Sequence, residues 1–153
     1  MVQGTEKAMD EELELALKGG DFKRLLDSQL DEVKKRHDLK KVELEVLFYL
    51  SRCGESDTPT DVTRGLNLTR GHVSQALDVL LKRKLVTSRA DRQDRRITHY
   101  SITRKANAII GELSQIKESM DRQLLAGITE EELAVYKSVM HKMLENIRSL
   151  QNK

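Results

Sequence analysis

Residues 58–103 read TPTDVTRGLNLTRGHVSQALDVLLKRKLVTSRADRQDRRITHYSIT, and this stretch decides the fold. Thr58-Pro59-Thr60 is a helix start, because threonine caps and proline suits a first turn whose N–H groups have no helical partner. That helix is short and ends near Leu66. Asn67, set between Leu66 and Leu68, tolerates a left-handed backbone and makes a tight turn. Thr69 caps a second helix that runs to about Arg83, with Val73, Ala76, Leu77, Leu80 and Leu81 facing inward at helical spacing. Residues 85–90 and 97–102 are rich in β-branched side chains and read as strands. The charged loop Asp91-Arg92-Gln93-Asp94-Arg95-Arg96 joins them as a hairpin. The order helix, turn, helix, strand, basic hairpin, strand is that of a winged helix-turn-helix, a reader of double-stranded DNA.

Each part has a physical task. The second helix is slim at its start, where Gly71 and Ser74 lie on the face away from the core and allow close approach to groove walls. Arg70, His72, Ser74 and Gln75 share that outward face. Arginine can donate twice to guanine, and glutamine can pair twice with adenine. Thr69 and the helix N-terminus suit a backbone phosphate. Arg92, Arg95 and Arg96 on the hairpin suit a minor groove, whose negative potential favours guanidinium. Asp91 and Asp94 support the wing, since short carboxylates cap turns and orient neighbouring arginines. The plainer alternative is that these are ordinary polar residues on a solvated helix face.

Charge is distributed to match. The net charge is only +2. Residues 60–105 nevertheless carry 11 Lys and Arg against 4 Asp and Glu, a net +7, while residues 1–59 and 106–153 are net −4 and −1. A basic block of this kind attracts polyanions, and counterion release supplies most non-specific DNA affinity.

The sequence Asp91-Arg92-Gln93-Asp94-Arg95-Arg96, following Leu85-Val86 and preceding a strand and helix, resembles the wing signature of the MarR (multiple-antibiotic-resistance regulator) family. The likeness extends back through Leu66-Asn67-Leu68-Thr69 and Val73-Ser74 and forward through Ser101-Ile102-Thr103, about residues 42–110. The flanking helices match in layout only. The resemblance implies a homodimeric transcriptional regulator, often a repressor released by a small phenolic ligand, an oxidant or a metal. It implies dimerisation through the terminal helices, with one recognition helix per subunit in the major groove. Arg70–Gln75 then start the recognition helix, and Arg92, Arg95 and Arg96 are the wing arginines. Two positions depart from the family pattern. Lys84 stands where a glycine usually ends the recognition helix, and Asn67 replaces a common glycine. Lys84 therefore either takes left-handed strain or changes the helix exit.

Outside this core the chain reads as helix. A first helix runs from Thr5 or Met9 to Leu17 and is stopped by Gly19-Gly20. Asp21 caps a second, with Phe22, Leu25, Leu26, Leu30 and Val33 in one stripe. A third covers residues 39–52 with Val42, Val46, Leu47 and Leu50 inward, and a loop covers residues 53–57. After Thr103, Ile109, Ile110, Leu113, Ile116 and Met120 form one helical face, which Gly127 ends. Thr129 with Glu132 is a capping box for the last helix. There Leu133, Tyr136, Met140, Met143, Ile147 and Leu150 recur at spacings of three and four, a short heptad seam. Dimerisation through that seam is the preferred reading, and packing on the chain's own first helices is the alternative. The expected organisation is N-terminal helices over 1–38, a DNA-binding domain over 39–105 and C-terminal dimerisation helices over 106–153. The fold class is mainly α with a small β-hairpin wing.

Composition bounds the rest. The 153 residues are 38% hydrophobic, 34% charged and 3% aromatic, enough for a small core with few large anchors. No apolar run approaches the roughly 20 residues of a bilayer span, and the N-terminus lacks a signal-peptide pattern. One cysteine, Cys53, excludes an internal disulfide and fits a reducing cytoplasm. His37, His72, His99 and His141 show no close metal-ligand pairing, so no metal or other cofactor is expected. No phosphate loop or nucleophile motif appears, and an enzyme is not expected. The family's ligand pocket would draw on His37, Leu47, Tyr49 and Cys53, with plain core as the favoured alternative. The partners expected are double-stranded DNA, a second copy of the chain and a candidate small-molecule inducer, with no membrane. The rival readings are a thiol switch at Cys53, a winged helix that binds protein instead of DNA, and another winged-helix family with a C-terminal dimer helix.

Overall fold

The computed structural model describes residues 20–151. Asp27–Lys117 form one compact unit, and residues 20–26 with 118–151 belong to a second. The chain is mainly helical and carries a single two-stranded antiparallel hairpin among the described residues. The helix expected over residues 5–17 lies outside them. No described helix is long and apolar enough to cross a membrane.

Helix α1 (Gly20–His37) takes in Gly20, where the sequence suggested a break. Of its expected stripe, the Phe22 side chain lies outside the described residues, Leu25 is exposed, Leu26 is half-buried, and Leu30 and Val33 are buried. Helix α2 (Lys41–Leu50) is shorter than the expected 39–52. Its start is set by Glu43, whose Oε2 accepts the Lys40 N–H at 2.7 Å. Leu44, Val46, Leu47 and Leu50 are buried, together with Glu43, because α2 packs against the next two helices and the second strand. Val42, expected inside, is half-buried, and Leu44 takes the core position.

Helix α3 (Pro59–Leu66) and helix α4 (Arg70–Lys82) follow as the two-helix motif. Val62, Val73, Leu77 and Leu80 are at most 1% exposed and join them to α2. Each such side chain contributes about 1.5–3 kcal/mol by burial. Leu81, expected inward, is half-buried. Strand β1 (Val86–Ala90) pairs with strand β2 (Thr98–Ile102) in the register Val86 to Ile102 and Arg89 to His99. A 3-10 turn at Arg104–Ala106 leads into helix α5 (Asn107–Leu124). On α5, Ile109 and Leu113 are buried, while Ile110 and Ile116 are half-buried. The Glu112 carboxylate accepts from Arg36 at 2.7 Å and meets the His37 ring at 2.9 Å, which ties α5 to the end of α1.

Three helix ends share one device. Asp38, Asn67 and Lys84 have φ of 50°, 52° and 58°, and each is followed by a leucine. Leu39, Leu68 and Leu85 donate back to the carbonyls of Lys34, Thr63 and Leu80 at 3.1, 3.1 and 2.9 Å. This six-residue return bond satisfies a carbonyl that the helix end would otherwise leave open. Lys84 therefore accepts the left-handed backbone, and the helix exit keeps the geometry a glycine would give. Lys84 N–H also donates to Leu81 O at 2.9 Å, which completes the paired bonds of this motif.

Gly127, at φ 81°, ends the connection from α5. Helix α6 (Glu130–Gln151) begins with the expected reciprocal cap. Thr129 N–H donates to Glu132 Oε2 at 2.8 Å, and Glu132 N–H donates to Thr129 Oγ1 at 3.2 Å.

Candidate nucleic-acid interface

The first helix of the motif is fixed at its start by a reciprocal cap. Asp61 N–H donates to Thr58 Oγ1 at 3.3 Å, and Thr58 N–H donates to Asp61 Oδ2 at 3.1 Å. Asn67, at φ 52° and ψ 45°, then turns the chain. Thr69 Oγ1 accepts the His72 N–H at 3.3 Å and opens α4. Burial of Val73, Ala76, Leu77 and Leu80 sets the rotation of this helix. The opposite face must then point away from the core, and Arg70, Gly71, His72, Ser74 and Gln75 are all exposed. A β-carbon on Gly71 would meet nothing within 4 Å. The small residue is thus not required by the fold.

The wing is ordered by its two aspartates. Asp91 Oδ1 accepts the N–H groups of Gln93 at 2.8 Å and Asp94 at 2.9 Å. Those bonds, with His99, hold the Asp91 carboxyl down to about 2. Asp94 grips Arg96 through paired contacts of 3.0 Å from Nε and Nη2, and it also accepts the Arg96 N–H at 3.1 Å. That pairing lowers the Asp94 pKa and raises the Arg96 pKa. The Arg96 side chain stays 91% exposed. Arg92 and Arg95 are exposed too, with no ion pair among the described residues. The hairpin closes through Asp91 N–H to Ile97 O at 2.9 Å. At its base Thr103 Oγ1 donates to Lys84 O at 2.8 Å, and Thr103 N–H donates to Leu85 O at 3.0 Å.

Two residues at this site escape a sequence reading. His99 on β2 places Nδ1 against Asp57 and Nε2 at 3.0 Å from Asp91 Oδ2. Asp57 also accepts the Tyr100 N–H on its backbone oxygen at 3.1 Å. Hydrogen bonds to Asp57 and then Asp91 raise the His99 pKa. The Asp57 contact spans 42 residues, so spacing gives no hint of it. The Asp91 contact spans eight and follows from the hairpin once its register is known.

The four candidate pocket residues have different surroundings. His37 meets Glu112, and Leu47 is fully buried core. Tyr49 donates its hydroxyl to Ser56 O at 3.0 Å, and its ring lies against Gly65. Cys53 directs its thiol at Leu50 O, 3.5 Å away. Burial, and then the Asp57 charge, push that thiol's pKa up, which disfavours the reactive thiolate. Among the described residues, no three His, Cys, Asp or Glu side chains gather as a metal site. On α6, Leu133 and Met140 are half-buried, whereas Tyr136, Met143, Ile147 and Leu150 are exposed, as are Val135 and Val139.

Comparison with known proteins agrees with this geometry. Residues 37–97 match the MarR family. A crystal structure of the transcriptional regulator PA3341 is 27% identical, with a TM-score of 0.73 over 84% of this chain and 94% of that one. An S. aureus MepR–DNA complex has the same fold at 23% identity and a TM-score of 0.68, covering 82% and 91% of the two chains. A MarR-family regulator from Silicibacter pomeroyi is similar at 23% identity and a TM-score of 0.67, covering 78% and 80%.

Proposed function

We propose that this chain, whose residues 37–97 match the MarR family, is a transcriptional regulator that binds double-stranded DNA through α4 and the wing. The observation that carries this reading is the face of α4 from Arg70 to Gln75. It is exposed along its length, and the chain itself makes no use of the space beside Gly71. Thr69 and Arg70 meet phosphate or guanine, and Gln75 has the reach and the donor–acceptor pair for adenine. Arg92 and Arg95 are the wing's open cations, and Arg96 is presented by Asp94. The MepR–DNA complex, similar in fold, supports the same partner.

The protein acts as a homodimer, with the apolar face of α6 against a second copy. Exposed Tyr136, Met143, Ile147 and Leu150 support this, because so long an apolar face otherwise stays in water. Two-fold symmetry sets a pseudo-palindromic operator with half-sites about one turn, roughly 10 bp, apart. A repressor role in the cytoplasm, with a small-molecule inducer as its candidate release signal, belongs to the same proposal and rests on the likeness of residues 37–97 to the MarR family alone; no enzymatic step is assigned to it.

Selection from a pool of randomised duplexes tests the reading. The expected product is a two-fold-related sequence, and Arg95→Ala should weaken its binding while the circular dichroism of the protein is unchanged. Recovery of no preferred sequence, or unaltered binding by Arg95→Ala at matched salt, overturns it.

A further inference from the structure

His99 sits between two carboxylates that come from different parts of the domain. Asp57 belongs to the connection ahead of α3, and Asp91 is the root of the wing loop. The His99 side chain is 16% exposed and that of Asp57 10%, so water reaches these groups poorly. The charged groups bearing on the ring are Asp57, Asp91 and, across the hairpin, Arg89. A neutral imidazole has one N–H and one lone pair, so it can donate to only one of the two carboxylates and must turn a lone pair on the other. The imidazolium donates to both. Asp91 in turn holds the N–H groups of Gln93 and Asp94, which shape the loop that carries Arg92 and Arg95.

We propose that His99 is a positioning residue for DNA binding: as an imidazolium it fastens the wing root at Asp91 to Asp57, and on losing its proton it releases the wing. The inference rests on the DNA-binding reading and adds a proton-controlled element to it. The sign follows from the bonds. Both favour the charged ring, so the latch is closed below the raised pKa of His99 and opens as pH rises through it. Duplex affinity therefore falls toward alkaline pH, with a limiting slope of about one proton per chain.

The experiment uses the full chain. Binding of a random-sequence duplex is followed by fluorescence anisotropy at fixed salt from acid to alkaline pH, for wild type, His99→Gln, Asp57→Asn and His72→Gln. The last variant removes the histidine on the DNA-facing helix, whose own titration would otherwise be confused with that of His99. In parallel, the His99 ring is titrated by NMR without DNA, and exchange of the Gln93 and Asp94 amides is measured. The expected result is a His99 midpoint above 6.5, the ordinary value, and a drop in that midpoint in Asp57→Asn. Protection of the Gln93 and Asp94 amides, taken as exchange relative to the intrinsic base-catalysed rate at each pH, should fall above the midpoint, and a pH-dependent affinity should persist in His72→Gln and flatten in His99→Gln. A His99 midpoint at or below 6.5, or an affinity profile identical in His99→Gln, overturns the latch. Should His99→Gln fail to fold, the Asp57→Asn midpoint and the wild-type exchange profile decide. Failure of wild type to bind the duplex at any pH counts instead against the DNA-binding reading, and the ring titration and amide exchange still test the latch.

Discussion

Gly65 and Tyr49 are in such close contact that a β-carbon on Gly65 would stand 2.4 Å from Tyr49 Cε2 and 3.1 Å from its hydroxyl oxygen. The ring is not free to retreat, because its hydroxyl donates to Ser56 O. Two terms oppose each other in Gly65→Ala. Replacing a helical glycine gains about 0.5–1 kcal/mol, but overpacking costs about 1–3 kcal/mol. The clash should win, with a net loss of about 1 kcal/mol. Urea denaturation of Gly65→Ala, Tyr49→Leu and the double variant measures this. The double variant should lose less than the sum of the two.

Lys84 presents the reverse case. Its φ of 58° is strained for any side chain, and Lys84 enters the hydrogen bonds around it through its own backbone, donating to Leu81 O and accepting from the Thr103 hydroxyl. Lys84→Gly should keep the Leu85-to-Leu80 bond and stabilise the fold by about 1 kcal/mol. An unchanged or lower urea midpoint would show that the lysine side chain contributes something that offsets its backbone.

Gly71 separates stability from binding. A β-carbon there has nothing within 4 Å, so Gly71→Ala should raise the melting temperature through helix propensity, by about half a kcal/mol. Gly71→Leu should fold equally well, yet its bulk stands between α4 and the groove. Its affinity for the selected duplex should drop by about tenfold or more, taking one steric misfit as about 1.4 kcal/mol. Anisotropy on the same duplex reads this directly.

Acid acts on Glu112. The His37 ring, and more weakly Arg36, hold its pKa below the ordinary value of 4.5. The stabilisation is therefore present above the unfolded value and disappears as pH falls through the lowered folded one. Thermal melts should show the wild-type midpoint falling in this acid range, and Glu112→Gln should lose part of that dependence. Equal slopes for the two proteins would show that Glu112 contributes nothing to the acid response.

Much of this architecture was legible because local chemistry agreed with the tertiary outcome. Thr58 with Pro59, Asn67 and Thr69 each carry a backbone instruction in the residue itself, and each adopts the expected conformation. The strands begin one residue later than their β-branched composition suggests, since Leu85 is spent on the return bond to Leu80 and Ile97 on closing the wing loop through Asp94 O and the Asp91 N–H. Helical spacing misjudged Val42 and passed over Leu44, because α2 is covered by α3, α4 and β2 and buries more than one stripe. Leu25 shows the converse, an apolar residue on the expected stripe that remains exposed. His99 was silent for another reason. Its role depends on Asp57, which only folding brings near.

The most direct test of the DNA-binding claim is a map of the surface that DNA covers. Amide shifts of the isotope-labelled full chain are followed as a duplex from the selected pool is added. The largest shifts should fall on Thr69–Gln75 and Arg92–Arg96, with the buried stripe of α4 little affected. Shifts absent from both segments, or confined to the apolar face of α6, would contradict it.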